Sequence, residues 1–403
     1  MRIRSMPATH RPLRAGCTGR NLALFRGRTP RAAVALLHHA AGLRLGVSSD
    51  FHTGRLEITQ GEGVLFERLG CALLNDDPDQ RRALARRHRD GALLLEPERY
   101  VRATELAAAQ SGDGLPLADT RNATWGLLAT RVLSTPYQGR GIRVAILDTG
   151  LDLTHPDFSS RTIVSKSFAG ELPVDDRNGH GTLCAGIACG PQQPAHAPRY
   201  GVAPAADLYI ARVLDDNAGG TDGQVLAGID WAVRYRCTIV SMSIGTPVAV
   251  GDSYPKVYEQ AAARALAQGT LLIAPAGNSS QRPDCIEPVE HPANCPSILA
   301  VAAVDQTLAV APFSNGGLNP DGGDVGLAAP GIAIASASPR PALYQTSSGT
   351  SMAAPFVAGI AALIAEADRN ARGAALRAAL LRALRPLAAP ARDVGAGLVQ
   401  APQ

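Results

Sequence analysis

Cysteine is scarce in this sequence. Seven are spread over 403 residues, at Cys17, Cys71, Cys184, Cys189, Cys237, Cys285 and Cys295, with no CxxC pair. That number and spacing exclude a disulfide framework and a zinc ribbon. Cys285 and Cys295 lie ten apart in a Pro-rich loop and are placed to pair in an oxidising compartment; otherwise the set reads as free or buried thiols. Lysine is scarcer still, at Lys166 and Lys256 alone, so the basic residues are nearly all Arg, a composition bias. Neither a basic stripe nor a base-reading motif is present, which argues against a nucleic-acid partner. Long apolar runs are missing too. Met352 to Ala365 spans 14 residues, short of the roughly 20 a bilayer needs. The basic start MRIRSMPATHRPLRAGCTGR has no apolar core behind it and no small-residue cleavage site, unlike a secretory signal. The expectation is a chain that stays in the cytoplasm or is exported by a non-classical route.

What is present suits a folded chain. Hydrophobic residues make up 46% and charged residues 18%, enough apolar material for a sizeable core. The net charge of +4 is uneven. Residues 1–117 hold 18 Arg against 12 acids, a net +6, and the remainder nets −2. The pattern divides the chain into a flexible lead (1–20), a small α+β unit (21–103), a linker (104–120) rich in small residues, Gly, Pro and Asp, and a large unit (121–403). In the small unit, strands are expected at Leu22–Phe25, within Gly63–Asn75 around a break at Gly70, and over 90–101. Helices are expected at Thr29–Ala41 and Asp77–Arg89, each with Pro near its start.

In the large unit, short apolar runs alternate with helical stretches. The expected strands are Ile142–Leu147, Leu208–Val213, Thr238–Met242, Thr270–Pro275 and Ile298–Val304. The expected helices are Asp222–Tyr235, Tyr254–Gln268 and Ser351–Ala367. Near-continuous apolar strands between helices imply an α/β fold, a parallel sheet with helices on both faces. Such sheets bind ligands beyond the carboxyl ends of their strands.

Four residues stand at that rim. Asp148 ends one strand, although an Asp capping the turn before Gly150 would look alike. His180 sits between Gly179 and Gly181, where the backbone can approach a neighbour closely; a structural His is the other reading. Ser351 opens an apolar helix, either as an N-cap or as a nucleophile beside free N–H groups. Asn278 follows a strand and Gly277, as a turn residue or as a donor to developing negative charge. Together they supply what serine catalysis needs: a nucleophile, a base to take its proton and an acid to orient the base.

Here the sequence resembles the subtilisin-like serine proteases. The matching blocks are Asp148-Thr-Gly150, Gly179-His-Gly-Thr182 and Gly349-Thr-Ser-Met-Ala-Ala-Pro355, in the family's Asp, His, Ser order. Shorter matches lie at His155-Pro-Asp157, Gly201-Val-Ala-Pro204, Ser241–Gly245, Ala276-Gly-Asn278 and Gly395–Val399, so the likeness covers about 121–403. It implies a serine endopeptidase acting on peptide or protein substrates through an acyl-enzyme. Asp148, His180 and Ser351 would form the triad, and Asn278 with the Ser351 N–H the oxyanion hole. Ser243, Ile244 and Gly245 would form one wall of the primary specificity pocket, and Ala276 and Gly277 the other. The same likeness makes residues 21–103 a prodomain that inhibits the enzyme and helps it fold, the +6 of residues 1–117 favouring docking on a remainder of −2. Alternative readings are a subtilase-like acyl transferase or macrocyclase, and a non-catalytic binding protein on the same fold.

The departures are local. Leu183 and Cys184 follow Gly-His-Gly-Thr where the family often has His. The Pro-rich segment 190–199 replaces a calcium loop and carries no carboxylate, whereas calcium takes six to eight oxygen ligands. No metal or other cofactor is therefore expected there. Asp215, Asp216 and Asp222, around a Gly-rich turn, read as solvated loop acids.

Overall fold

The computed structural model describes residues 16–25, 29–50, 58–89, 91, 93–104 and 117–403. The expected flexible lead lies mostly outside these residues, and its described end, 17–20, is strand rather than flexible lead; the expected linker also lies outside them except for Thr104 and 117–120.

The large unit is built on a nine-stranded sheet. Its order runs Leu384–Arg385, Leu398–Val399, Leu327–Pro330, Ile298–Val304, Leu271–Pro275, Ile239–Met242, Arg143–Asp148, Asp207–Arg212 and Val164–Ser167. All neighbours are parallel except the first pair. The five expected strands are all present, each within a residue of its expected bounds. Their residues are almost all buried, as parallel strands covered on both faces must be. After Arg143–Asp148 the chain first adds strands on one side and then crosses to Ile239–Met242 on the other. That reversal opens a crevice at the carboxyl end of Arg143–Asp148, where Asp148 stands.

Helices Asp222–Arg234 and Lys256–Ala267 pack together on the sheet, as do His180–Cys189 and Thr350–Ala367. Thr350–Ala367 is 18 residues long and apolar enough to cross a membrane, yet 89% of it is buried in the fold. It is the central core helix.

The described residues between 16 and 104 form a smaller layer. Strands Cys17–Phe25, Arg44–Val47, Glu62–Phe66, Cys71–Asn75 and Leu93–Ala103 make a mostly antiparallel sheet. Pro30–Ala41 and Pro78–Arg89 are the two helices, the first capped by Thr29 Oγ1 accepting from the Ala32 N–H. Alternation along the strands divides the sheet's faces. Ala23, Phe25, Leu65, Ala72 and Leu74 form a core of their own with Leu37 and Leu84. Leu22, Leu24, Val64, Phe66 and Leu73 belong instead to the core of the large unit. The strand Leu93–Ala103 continues the sheet across the boundary, pairing with Gly219–Thr221 and with Ile244–Gly245.

Cys285 and Cys295 are separate thiols, in line with the free-thiol reading of the set. Cys295 is fully buried, while Cys285 is exposed and its Sγ donates to Glu287 Oε1. Asp222 is not a solvated loop acid: it is fully buried, with His291 Nε2 at 2.8 Å from Oδ1. Asp216 pairs with the buried Arg212. Asp215 accepts from the N–H groups of Asn217 and Gly219 and shapes the turn.

Candidate active site

The strand Arg143–Asp148 delivers a carboxylate to the crevice with 1% of the residue exposed. The Thr149 N–H donates to Asp148 Oδ1 at 2.7 Å. His180 is the first residue of its helix and turns its ring onto this carboxylate. Nδ1 lies 2.8 Å from Oδ1 and 3.0 Å from Oδ2. Two glycines make the approach possible. A Cβ on Gly181 would stand 2.3 Å from the Gly150 carbonyl oxygen, and one on Gly150 would stand 2.1 Å from that of Val174.

A residue passed over in the sequence holds the histidine in place. Asp176 is 3% exposed. Its Oδ1 accepts from Thr149 Oγ1 and from the N–H groups of Asn178 and Gly179. Its Oδ2 accepts from the N–H and hydroxyl of Thr182. One carboxylate thus fixes both the Asp148 loop and the start of the His180 helix. The sequence signal was faint: an acid two residues before Asn178-Gly-His, in a stretch that reads as loop.

Electrostatically, burial opposes a charged His180 ring, but the facing Asp148 carboxylate, aided by Cys184, outweighs it. The net effect holds the imidazolium well above the usual histidine range. Among the described residues His180 Nε2 has no hydrogen-bond partner. Cys184 Sγ lies 3.9 Å from Nδ1, and burial pushes that thiol up, away from the thiolate. Asp148, His180 and Cys184 bring donor atoms within 4.8 Å of one another. The group consists of the Asp148–His180 pair with a protonated thiol beside it.

Ser351 is fully buried in the first turn of Thr350–Ala367. Asn278 is fixed beside it: Oδ1 accepts from the N–H and hydroxyl of Thr350, at 2.9 and 2.8 Å. That sets its Nδ2 toward Gly349, where an added Cβ would lie 3.1 Å from Nδ2 and 3.6 Å from the Ser351 nitrogen. The two nitrogens therefore lie close to the same point.

The strand Leu93–Ala103 runs straight into the site. Tyr100–Arg102 pairs with Gly219–Thr221 on one side, and Arg102–Ala103 pairs with Ile244–Gly245 on the other. The Thr104 N–H donates to the Ser243 carbonyl at 3.4 Å. Ser351 Oγ–H donates to the Thr104 carbonyl at 3.2 Å, and the two hydroxyls also touch. Ser243 Oγ–H donates to the Ser351 carbonyl at 2.9 Å. A cavity of about 410 Å³ opens beside the site, lined by His180, Asn178, Ala103, Thr104 and Met352. Of the expected wall residues, Ser243, Ile244 and Gly245 meet the tail strand, while Ala276 and Gly277 close the end of Leu271–Pro275. The edge Gly219–Thr221 was not foreseen, because its glycines read only as a turn.

A parallel sheet with an Asp–His pair at its switch point and a Ser at a nearby helix N-terminus defines a class: α/β serine hydrolases. Within that class the chain belongs to the subtilase family, whose model matches residues 139–397. It is 35% identical over 272 residues to an intracellular serine protease of Paenibacillus polymyxa, covering 65% of this chain and 79% of the relative. It is 35% identical over 237 residues to subtilisin DY of Bacillus licheniformis, covering 59% and 81%. It is also 36% identical over 234 residues to the major intracellular serine protease of Bacillus subtilis (strain 168), covering 56% and 69%. The protein is a subtilisin-like serine protease, a hydrolase of peptide bonds.

Proposed function

We propose that Ser351, His180 and Asp148 are the catalytic residues of this protease, and that residues 16–104 are its inhibitory prodomain. The observation that carries both is the Thr104 carbonyl held at the hydroxyl of Ser351. Ser351 Oγ attacks the scissile carbonyl carbon and His180 Nε2 takes its proton. His180 then hands that proton to the leaving amine, giving the acyl-enzyme. Asp148 keeps Nδ1 protonated and stabilises the imidazolium. The Asn278 Nδ2–H and the Ser351 N–H receive the oxyanion. Water, activated by His180 in turn, releases the acid.

The tail strand occupies the substrate groove as an added strand between two edges. Thr104, the residue after this strand, sits where the acyl side of the cut bond belongs, so self-processing falls between Thr104 and Glu105. The prodomain is fastened by carboxylates at helix N-termini, where free N–H groups favour anions. Glu96 accepts from the N–H groups of Lys256 and Val257, and Glu98 from that of Gly223. These contacts, with the shared apolar face, dock the unit; its net charge has the opposite sign to the carboxylates that engage. Calcium has no role in segment 190–199 on this reading. The segment is tied to Asp157 instead, whose oxygens accept from the Ala195 N–H and the hydroxyls of Tyr200 and Tyr344.

Intact-mass spectrometry after treatment with a fluorophosphonate tests the reading, with Ser351→Ala alongside. The expected product is a fragment starting at Glu105 with one adduct, absent in the variant. A cleaved chain without an adduct would remove Ser351 as nucleophile. An uncleaved chain carrying the adduct would remove self-processing at Thr104.

A further inference from the structure

Glu290 is a buried carboxyl that the mechanism does not use. It is 5% exposed. Its segment links the two expected pocket walls: the Glu290 N–H donates to the Ala276 carbonyl, and His291 exchanges backbone hydrogen bonds with Thr246, next to Gly245. The side chain fills the gap between the walls. A Cβ added to Gly245 would lie 2.1 Å from Glu290 Oε2, and one added to Gly277 would lie 2.7 Å from Glu290 Cγ and Cδ. The same point above Gly245 is 2.8 Å from the methyl carbon of Thr104. The carboxyl and that methyl group are therefore within about 5 Å of each other. Glycines at 245 and 277 make room for Glu290 rather than for a deep cleft.

We propose that Glu290 floors the pocket receiving the side chain on the acyl side of the cut bond, and restricts it to small residues such as Thr, Ser, Ala or Val. The proposal rests on the reading of Thr104 as the residue that occupies this pocket. A longer side chain at that position meets the carboxyl where its third or fourth carbon would go. No cation pairs with Glu290 among the described residues. Its Oε1 accepts from Ser279 Oγ at 2.7 Å. Burial pushes its pKa up to about 7, against the hydrogen bonds that lower it. The restriction is one of size: the carboxyl stands beside the Thr104 methyl group and leaves space for a short side chain alone.

The test has two arms. In the full chain, self-processing is followed by intact mass for Thr104→Ala, Thr104→Phe and Thr104→Lys, each with Glu290, Glu290→Gln or Glu290→Gly. Thr104→Ala should process like the native chain. Phe and Lys should be slower by roughly 10²-fold, the scale at which pockets reject excess volume. Glu290→Gly should restore Phe, and Glu290→Gln, equal in size, should not. Native-rate processing of Thr104→Phe would overturn the proposal. So would faster processing of Thr104→Lys that Glu290→Gln abolishes, since charge rather than size would then set the preference. In the second arm, fluorophosphonate-reactive enzyme cleaves peptides varied only at that position. If they show the small-residue preference while the chain does not cut itself, the tail reading fails and Glu290 stands. If the peptides show no preference, the role of Glu290 fails.

Discussion

At the scale of single residues, the proposed mechanism requires that a weak nucleophile be made competent and its base available. Ser351→Ala should lower turnover by roughly 10⁶-fold, a magnitude carried over from subtilisin itself. Asn278→Ala should cost about 10²–10³-fold, again subtilisin's figure, and should appear in kcat more than in KM. An unchanged kcat would mean that Asn278 Nδ2 does not face the oxyanion. The His180–Asp148 pair predicts a pH dependence with a definite sign. Only the neutral ring accepts a proton, and Asp148 favours the charged ring. The rise of kcat/KM with pH should therefore lie on the alkaline side of the ordinary histidine value of 6.5. Asp148→Asn should move that limb toward acid and lower its plateau by about 10⁴-fold. An acid limb below 6.5 in the native enzyme would show that burial outweighs the carboxylate. The raised value also means that the pair stabilises the fold at low pH, and that this contribution fades as pH rises through it. The four rim residues were legible because each stands beside a glycine or at an apolar strand or helix end. Asp176 and Glu290 were not, since their meaning lies in partners brought near by folding: a loop and a helix for Asp176, two facing glycines for Glu290.

At the scale of elements, the site depends on how closely backbones pass. The helix His180–Cys189 crosses the Asp148 loop with Gly181 against the Gly150 carbonyl oxygen, at a distance that leaves no room for a methyl group. Gly181→Ala keeps a good helix former but forces these elements apart. The expected outcome is activity lowered by 10²-fold or more, since about 1 Å of misplacement is felt on that scale, with the melting temperature depressed as well. Native kcat/KM in Gly181→Ala, measured on a peptide substrate, would show that the two elements can separate without moving His180. The expected strands of the large unit and the long helices appeared close to their predicted bounds because their apolar patterns are regular, whereas the strand expected at Leu22–Phe25 starts at Cys17, ahead of its apolar run. Gly219–Thr221 escaped notice because a three-residue edge has no pattern of its own. It becomes a strand by pairing with Tyr100–Arg102. The helix caps by Glu96 and Glu98 were hidden for the same reason, being contacts across some 125 to 160 positions of sequence.

At the scale of the whole molecule, the N-terminal unit is complete on one face only. Its own core is small, built around Phe25, Leu37, Leu65, Leu74 and Leu84. The opposite face presents Leu22, Leu24, Val64, Phe66, Leu69 and Leu73 to the protease core, each 6% exposed or less. Burying one such side chain is worth about 1.5–3 kcal/mol, so the six together are worth on the order of 10 kcal/mol. That matches the entire stability of an ordinary domain, about 5–15 kcal/mol. Separated from the protease, this face would lie in water, and the strand Leu93–Ala103 would lose both of its protease edges. A peptide of residues 1–104 should therefore show no cooperative thermal transition by far-UV circular dichroism. It should gain one when mixed with processed protease. The uncut Ser351→Ala chain, in which sheet and core run across the boundary, should melt in a single step. A sharp transition in the free peptide would mean that its own small core suffices. Docking would then be an association of two finished folds rather than the completion of one by the other.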